Sequence, residues 1–263
     1  MPSIPVDILR LILEHVDRES LTKICLLNKT CSSCAQDVLY RHIQVRGLFQ
    51  NDQVCQTLTQ SNILARRVRS FVTARSDSKL RGALLNMVNL CQLRLGLWVD
   101  SSVLEGCAFK LLSFACTRIE GRALHRFLLR QPSITDLKVL MSKDYDWPEL
   151  GVTFLPNLTR VAAPFAKLQL LIPNRPVKEV DVLGYSIHDD DLSFLTLSTI
   201  PIQKLAIEHM YLYSKPGQFL ASLVPSLTHL ELDTCSGDFN TIVCGCPFFI
   251  DFTVIPNRTI ESR

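Results

Sequence analysis

The feature that most restricts the fold is a short apolar pattern that recurs along most of the chain: apolar, two residues, apolar, one residue, apolar. The copies are "VRSFVT" (68–73), "LCQLRL" (90–95), "FKLLSF" (109–114), "ITDLKV" (134–139), "LTRVAA" (158–163), "VKEVDV" (177–182), "IQKLAI" (202–207) and "LTHLEL" (227–232). Their central apolar residues are Phe71, Leu93, Leu112, Leu137, Val161, Val180, Leu205 and Leu230, at steps of 22, 19, 25, 24, 19, 25 and 25 residues. The end of each copy alternates apolar with polar residues, as a strand with one buried face requires. Helix-like segments lie between copies. "GRALHRFLLRQP" carries Leu124, Phe127 and Leu128 at i, i+3 and i+4 ahead of Pro132, and "GALLNMVN" and "GQFLASLVP" are similar. One strand and one helix cannot bury a core alone, but stacked copies can. The expected fold is therefore α/β, a solenoid with a curved parallel sheet on its concave side.

A period of 20–29 residues is that of leucine-rich repeats. The chain resembles that family in degenerate form. Only "LTHLELDTC" completes the signature L-x-x-L-x-L-x-x-N/C, with Cys235 last; other copies hold Trp98, Thr117 or Met210 at that place. The competing reading is an ordinary α/β domain whose parallel strands share a pattern. If the repeats stack, the polar residues flanking each central position face the concave side. They include Gln92, Arg94, Asp136, Lys138, Arg160, Glu179, Asp181, Lys204, Glu208, His229, Glu231 and Asp233, a row that drifts from basic or mixed to acidic.

The N-terminal segment poses a separate problem. At about 100° per residue, Ile4, Ile8, Leu11 and Ile12 point one way, and Leu9, Leu13 and Val16 widen the apolar arc to roughly 200°, twice that of an ordinary surface helix. Asp7, Arg10 and Glu14 leave only a narrow polar strip. Asp17 is placed to cap a second helix carrying Leu21, Ile24 and Leu27, and a third follows Asn28 with Cys31, Cys34, Ala35, Val38 and Leu39. Three short helices cannot cover so wide an arc among themselves, so the excess must meet the rest of the chain or a partner.

These residues resemble an F-box of the fungal type. In "IPVDILRLILEHVDRESLTKICLLNKT…VLYRHI", Ile4-Pro5 stands where the family has Leu-Pro and Asp7 where it usually has Glu. Ile8, Leu9, Ile12, Leu13 and Val16 match its apolar positions, and Leu21, Ile24, Leu26 and Leu27 match its second helix. Cys31 stands where the family commonly has a Trp or Phe. The resemblance implies docking on a Skp-type adaptor through Ile4, Pro5, Ile8, Leu9, Ile12, Leu13, Val16, Leu21, Ile24 and Leu27. Through that adaptor the chain would join a cullin–RING ubiquitin ligase as its substrate-recognition subunit. It would contribute proximity and no chemistry. A protein substrate would then meet the concave row, with Arg94, Lys138, Arg160, Asp181, Glu208, His229, Glu231 and Asp233 as selecting residues. The competing readings are a solvated sheet face and a repeat scaffold without a ligase.

Other function classes find little support. Hydrophobic content of 47% with 20% charged residues fits a chain with a core, and a net charge of +3 points to no partner class. No segment reaches the roughly 18 apolar residues of a membrane span, and no secretory signal pattern opens the chain. The expectation is an intracellular protein, in cytoplasm or nucleus. Its ten cysteines are then reduced and mostly buried, and the three N-x-T sequons at Asn28, Asn157 and Asn257 are chance matches. "GYSIH" (184–188) has His188 where a nucleophile elbow needs Gly, so Ser186 reads as a loop residue. In "HDDDL" (188–192), Asp189 or Asp190 reads as a helix cap. "CSSC" (31–34) sits on a helix outside any redox fold, and "CGC" (244–246) lacks a second ligand pair. The basic run "ARRVRS" (65–70) has no interleaved aromatics and reads as a solvated entry to the solenoid. No cofactor, metal or nucleic acid is called for.

The expected layout is an F-box at 1–45, repeats at 46–235 and an atypical tail at 236–263. In that tail "IVCGCPFFIDFTVI" is read as lacking the repeat spacing. It is either a cap across the last repeat or the remnant of a longer array.

Overall fold

The computed structural model describes residues 4–45, 47–74, 78–96, 100–117, 119, 121–140, 147, 150–183, 192–208, 223–233 and 251–254. The chain divides into two compact units, Met1–Leu111 and Leu112–Arg263.

The first unit opens with three helices, α1 (Val6–Leu13), α2 (Arg18–Ile24) and α3 (Lys29–Arg41). Their starts are set by side-chain caps. The Asp17 carboxylate accepts from the Ser20 N–H and Asn28 Oδ1 accepts from the Cys31 N–H, both at 2.9 Å. Each cap satisfies an amide that the first helical turn leaves without a partner. Ser20, through its hydroxyl and then its backbone N–H, also holds the Asp17 carboxyl below its ordinary value. Helix α3 runs directly into strand β1 (His42–Val45). There follow α4 (Leu48–Gln60), α5 (Asn62–Ala65), β2 (Ser70–Thr73), α6 (Ser78–Asn86), β3 (Gln92–Leu95) and a 3-10 turn at Ser101–Leu104. The strands are parallel, with Ile43, Phe71 and Leu93 in one row. Behind them Leu58 from α4 and Leu80, Ala83 and Leu84 from α6 are fully buried. Gly96 fits where no other residue would. Its N–H donates to the Thr73 carbonyl at 2.7 Å, and a Cβ there would fall 2.6 Å from Ala74 Cα.

Two arginines of the basic run are not merely solvated but tie the turn before β2 to its neighbours. Arg67 donates to the Ser33 carbonyl at 2.8 Å and lies 3.1 Å from Asp37, which also receives Arg10 at 3.0 Å. Arg69 reaches the Asn89 carbonyl at 3.1 Å.

The second unit carries β4 (Ser113–Cys116), α7 (Gly121–Leu129), β5 (Asp136–Val139), β6 (Arg160–Ala163), α8 (Phe165–Leu171), β7 (Glu179–Val182), a 3-10 helix at Leu192–Leu197, β8 (Lys204–Glu208), β9 (His229–Asp233) and β10 (Asp251–Val254). Each strand pairs in parallel with the next in chain order. That is the stacking expected of a solenoid: a mixed α/β architecture with helices at the N-terminus and strands added one repeat at a time. The buried row is Phe114, Leu137, Val161, Val180, Leu205 and Leu230, with Phe252 next in register. Phe114 meets Phe127 of α7 at 5.2 Å between ring centroids, so this row faces the helices. Of the helix-like segments named above, "GRALHRFLL" and "GALLN" are helical, whereas most of "GQFLASLVP" lies outside the described residues.

The register corrects the sequence reading in two places. Leu112 is not a central position: it is 49% exposed, and its carbonyl accepts from the Thr135 and Asp136 amides. The true copy is "LLSFAC", with Leu111, Phe114 and Cys116 buried. "FKLLSF" satisfies the same pattern two residues earlier, and a cysteine closes the correct one. The tail also keeps the pattern: "FIDFTV" (249–254) has the spacing, and Asp251–Val254 pairs with β9 as a further strand.

A repeated hydrogen-bond device explains the strand starts. The carbonyls of Leu112, Thr135, Thr159, Lys178 and Gln203 each accept from two successive amides of the following strand's entry. Thr135, Thr159 and Thr228 add their hydroxyls to the preceding carbonyl of this ladder at 3.0–3.2 Å. One buried charge also serves the loops. Arg175 donates to the carbonyls of Phe154, Leu170, Pro173 and Gly151 at 2.7–3.2 Å. Burial holds its guanidinium below the ordinary value, and the four acceptors offset that desolvation.

Candidate functional site

The N-terminal helices divide the wide apolar arc in two. Leu13, Leu21, Cys34 and Ala35 form their small core, with Leu9, Val16, Ile24, Cys25, Val38 and Leu39 packed partly against it. Leu13 and Leu21 are 2% and 4% exposed. The other half of the arc is open. Ile4, Pro5, Ile8 and Ile12 are exposed, and Leu27 is 69% exposed. Val6, Leu11 and Leu26, the last at 86%, extend the same open set. Sequence reasoning left these three off the docking list, although the adjacent pair Leu26-Leu27 after α2 was a signal for one of them.

The polar strip of α1 accounts for this division. On a lone amphipathic helix Arg10 and Glu14 would face water. Here Arg10 pairs with Asp37 at 3.0 Å and Glu14 with Arg41, both partners lying on α3. The charged strip thus meets a neighbouring helix, and the isoleucines are left to solvent. So many large aliphatic side chains left to solvent make this segment the first candidate interaction surface.

A second candidate is the sheet face turned away from the helices. In the second unit Asp136, Arg160, Glu179, Lys204 and His229 stand side by side in register. Lys138, Asp181 and Glu231 belong to the next row. The expected drift in charge is interleaved with ion pairs: Arg160 lies 3.5 Å from Glu179, and Lys204 lies 4.0 Å from Glu231. Glu208 and Asp233 are register partners on β8 and β9, placed by backbone alone. Arg94 occupies the equivalent outward position on β3, in the first unit. Burial raises the Asp181 carboxyl, opposed by Arg160, Lys204 and Lys138 and assisted by Glu231.

The motifs weighed for catalysis assemble no constellation among the described residues. Ser186, His188, Asp189, Asp190 and the cysteines at 235, 244 and 246 lie outside them. Cys31 and Cys34 both ride on α3, with Cys34 in its core. Of the described cysteines, Cys34, Cys55 and Cys116 are buried and the other four half-buried. Burial pushes the Cys116 thiol up to about 12, so it is protonated and unreactive at neutral pH. The His125 imidazole stacks on Phe154 at 5.5 Å and burial lowers its pKa, which makes it a neutral packing ring near pH 7. The Asn28 and Asn157 side chains are both engaged, Asn28 as a cap and Asn157 on the Pro132 carbonyl at 3.1 Å. No described helix is long and apolar enough to cross a membrane.

Comparison with known proteins adds one match. Residues 1–42 match the F-box domain family, a span that holds α1, α2 and α3 and ends as β1 begins. No curated protein matches the chain.

Proposed function

We propose that this chain, which carries an F-box at residues 1–42, is the substrate-recognition subunit of an SCF-type ubiquitin ligase. The F-box indicates an adaptor-binding substrate receptor in general terms. The finer reading is that the F-box docks on a Skp-type adaptor through Ile4, Ile8, Ile12, Leu26 and Leu27, while Leu9, Leu13 and Leu21 hold the helices that present them. The parallel strands form degenerate leucine-rich repeats whose open face binds a protein substrate. The chain performs no chemistry. It raises the effective concentration of one protein near a ubiquitin-conjugating enzyme.

The observation that carries this reading is the set of exposed isoleucines and leucines along α1 and just after α2, on a three-helix segment that has its own core. It is tested by offering the full chain a purified Skp-type adaptor, and then adaptor with cullin and RING subunits. The expected result is a one-to-one complex with the adaptor that assembles further with the cullin. Absence of any adaptor complex would overturn the ligase reading and favour a repeat scaffold.

A further inference from the structure

The central outward row of the second unit has an order that its residue types alone do not show. Following the register from β4 to β9, it reads Ala115, Lys138, Ala162, Asp181, Ala206 and Glu231. Alanine and charge alternate strand by strand. Neighbouring strands lie about 4.8 Å apart, so the three charged posts recur roughly every 9.6 Å. Between them the alanines leave dips, since a methyl group rises little above the sheet. Ala162 is itself buried between Lys138 and Asp181.

Two of the three posts, Lys138 and Asp181, also differ from the charges in the adjacent row. Arg160 has Glu179, and Lys204 has Glu231 at the longer distance of 4.0 Å. Asp181 and Lys138 make no hydrogen bond or close ion pair among the described residues, and Asp181 is half-buried. Arg160, Lys204 and Lys138 act on this carboxylate only at longer range, and with alanines as both row neighbours there is space beside it for a closer donor. Two of the three posts are acidic, and the basic one stands at the β5 end.

We propose that this row reads a helical segment of the partner protein that presents two basic side chains and one acidic side chain in line, the basic pair meeting Asp181 and Glu231 and the acidic one Lys138. The proposal rests on the reading of this face as the substrate surface and adds what the face selects. The spacing decides the conformation. Seven residues of α-helix advance about 10.5 Å and return nearly to the same face. Same-face positions of an extended strand recur every ~6.8 Å and miss the posts.

The test uses the full chain and two alanine-based helical peptides of equal composition and net charge, labelled for fluorescence anisotropy at low ionic strength. One carries Glu, Lys and Lys at seven-residue intervals. The other carries the same three residues at intervals of five, which scatters them around the helix. The spaced peptide is expected to bind at least fivefold more tightly. In the Asp181→Lys variant, the preference is expected to move to a spaced peptide carrying Glu, Glu and Lys. Equal or absent binding of the two peptides to the unaltered chain overturns the proposal, as does a preference that Asp181→Lys leaves in place. Adaptor capture measured on the same sample separates the outcomes. A chain that holds the adaptor without discriminating the peptides refutes this inference alone, and one that fails to hold it refutes the ligase reading.

Discussion

The two candidate surfaces are built in opposite ways. The N-terminal face exposes Ile4, Ile8, Leu11, Ile12, Leu26 and Leu27, while Arg10 and Glu14 pair with Asp37 and Arg41 of the third helix. The open sheet face of the second unit buries its aliphatic row toward the helices and sets charges outward, several of them already paired. An apolar face gains affinity from removal of water and tolerates few partners that do not match its shape. A face of interleaved charges contributes less per contact and discriminates by sign and spacing. The proposed function would use both kinds, the apolar face for a constant adaptor and the charged face for a selected substrate.

Each surface has a core residue behind it, and the largest effects should appear there. Phe114→Ala is expected to cost about 3–5 kcal/mol of unfolding free energy, whereas Leu112→Ala, two residues away and exposed, should change it by no more than about 0.5 kcal/mol. Denaturant titration of the two variants decides the register, and equal losses would contradict it. Leu13→Ala is expected to cost about 2–5 kcal/mol and to weaken adaptor binding indirectly. Ile8→Ala should leave the thermal midpoint within about 1–2 °C and still weaken binding. If Leu13→Ala proved as harmless to stability as Ile8→Ala, the division of the arc into inner and outer halves would be wrong.

Ionic strength separates the surfaces further. Raising salt from about 0.05 to 0.5 M should weaken the spaced peptide's binding to the sheet severalfold and leave adaptor affinity nearly unchanged. A marked salt dependence at the adaptor would mean that charge dominates there too.

The smallest effect concerns Asp181. Its carboxyl is raised chiefly by burial, so the folded state favours the protonated form. That contribution is complete below the ordinary value of 3.8 and is lost as pH rises through the raised value. At neutral pH the charge therefore opposes folding. Asp181→Asn is expected to raise the thermal midpoint slightly at pH 7, with the gain fading as pH falls through the raised value and gone below 3.8. A carboxylate kept at a cost to stability is what a recognition residue looks like. A lowered midpoint at pH 7 would show instead that Asp181 supports the fold.

Much of this was legible in the sequence because periodic burial leaves a periodic pattern. The rows through Phe71, Leu93, Leu137, Val161, Val180, Leu205 and Leu230 were readable from spacing, and the Asp17 and Asn28 caps from local chemistry. The slip at Leu112 arose because Phe109, Leu112 and Phe114 satisfy the pattern as well as Leu111, Phe114 and Cys116 do, and only the cross-strand register separates them. The inner and outer halves of α1 were not legible. Which half faces inward depends on Asp37 and Arg41, each 27 residues from its partner. Arg67 reads as part of a basic run because its partners lie about 30 residues earlier on α3. Arg175 shows no motif because its hydrogen bonds go to backbone carbonyls, which any residue can supply.

The central claim is that the open half of the N-terminal arc is a docking face. It is tested most directly by titrating a Skp-type adaptor into the full chain and into its Ile8→Asp/Ile12→Asp variant, with thermal midpoints measured on both. Both positions are exposed, so the variant should fold as the unaltered chain does, and in complex it would bury two unpaired charges. The account predicts one-to-one, nanomolar binding by the unaltered chain and no detectable binding by the variant at an unchanged midpoint. Undiminished binding by the folded variant would contradict it.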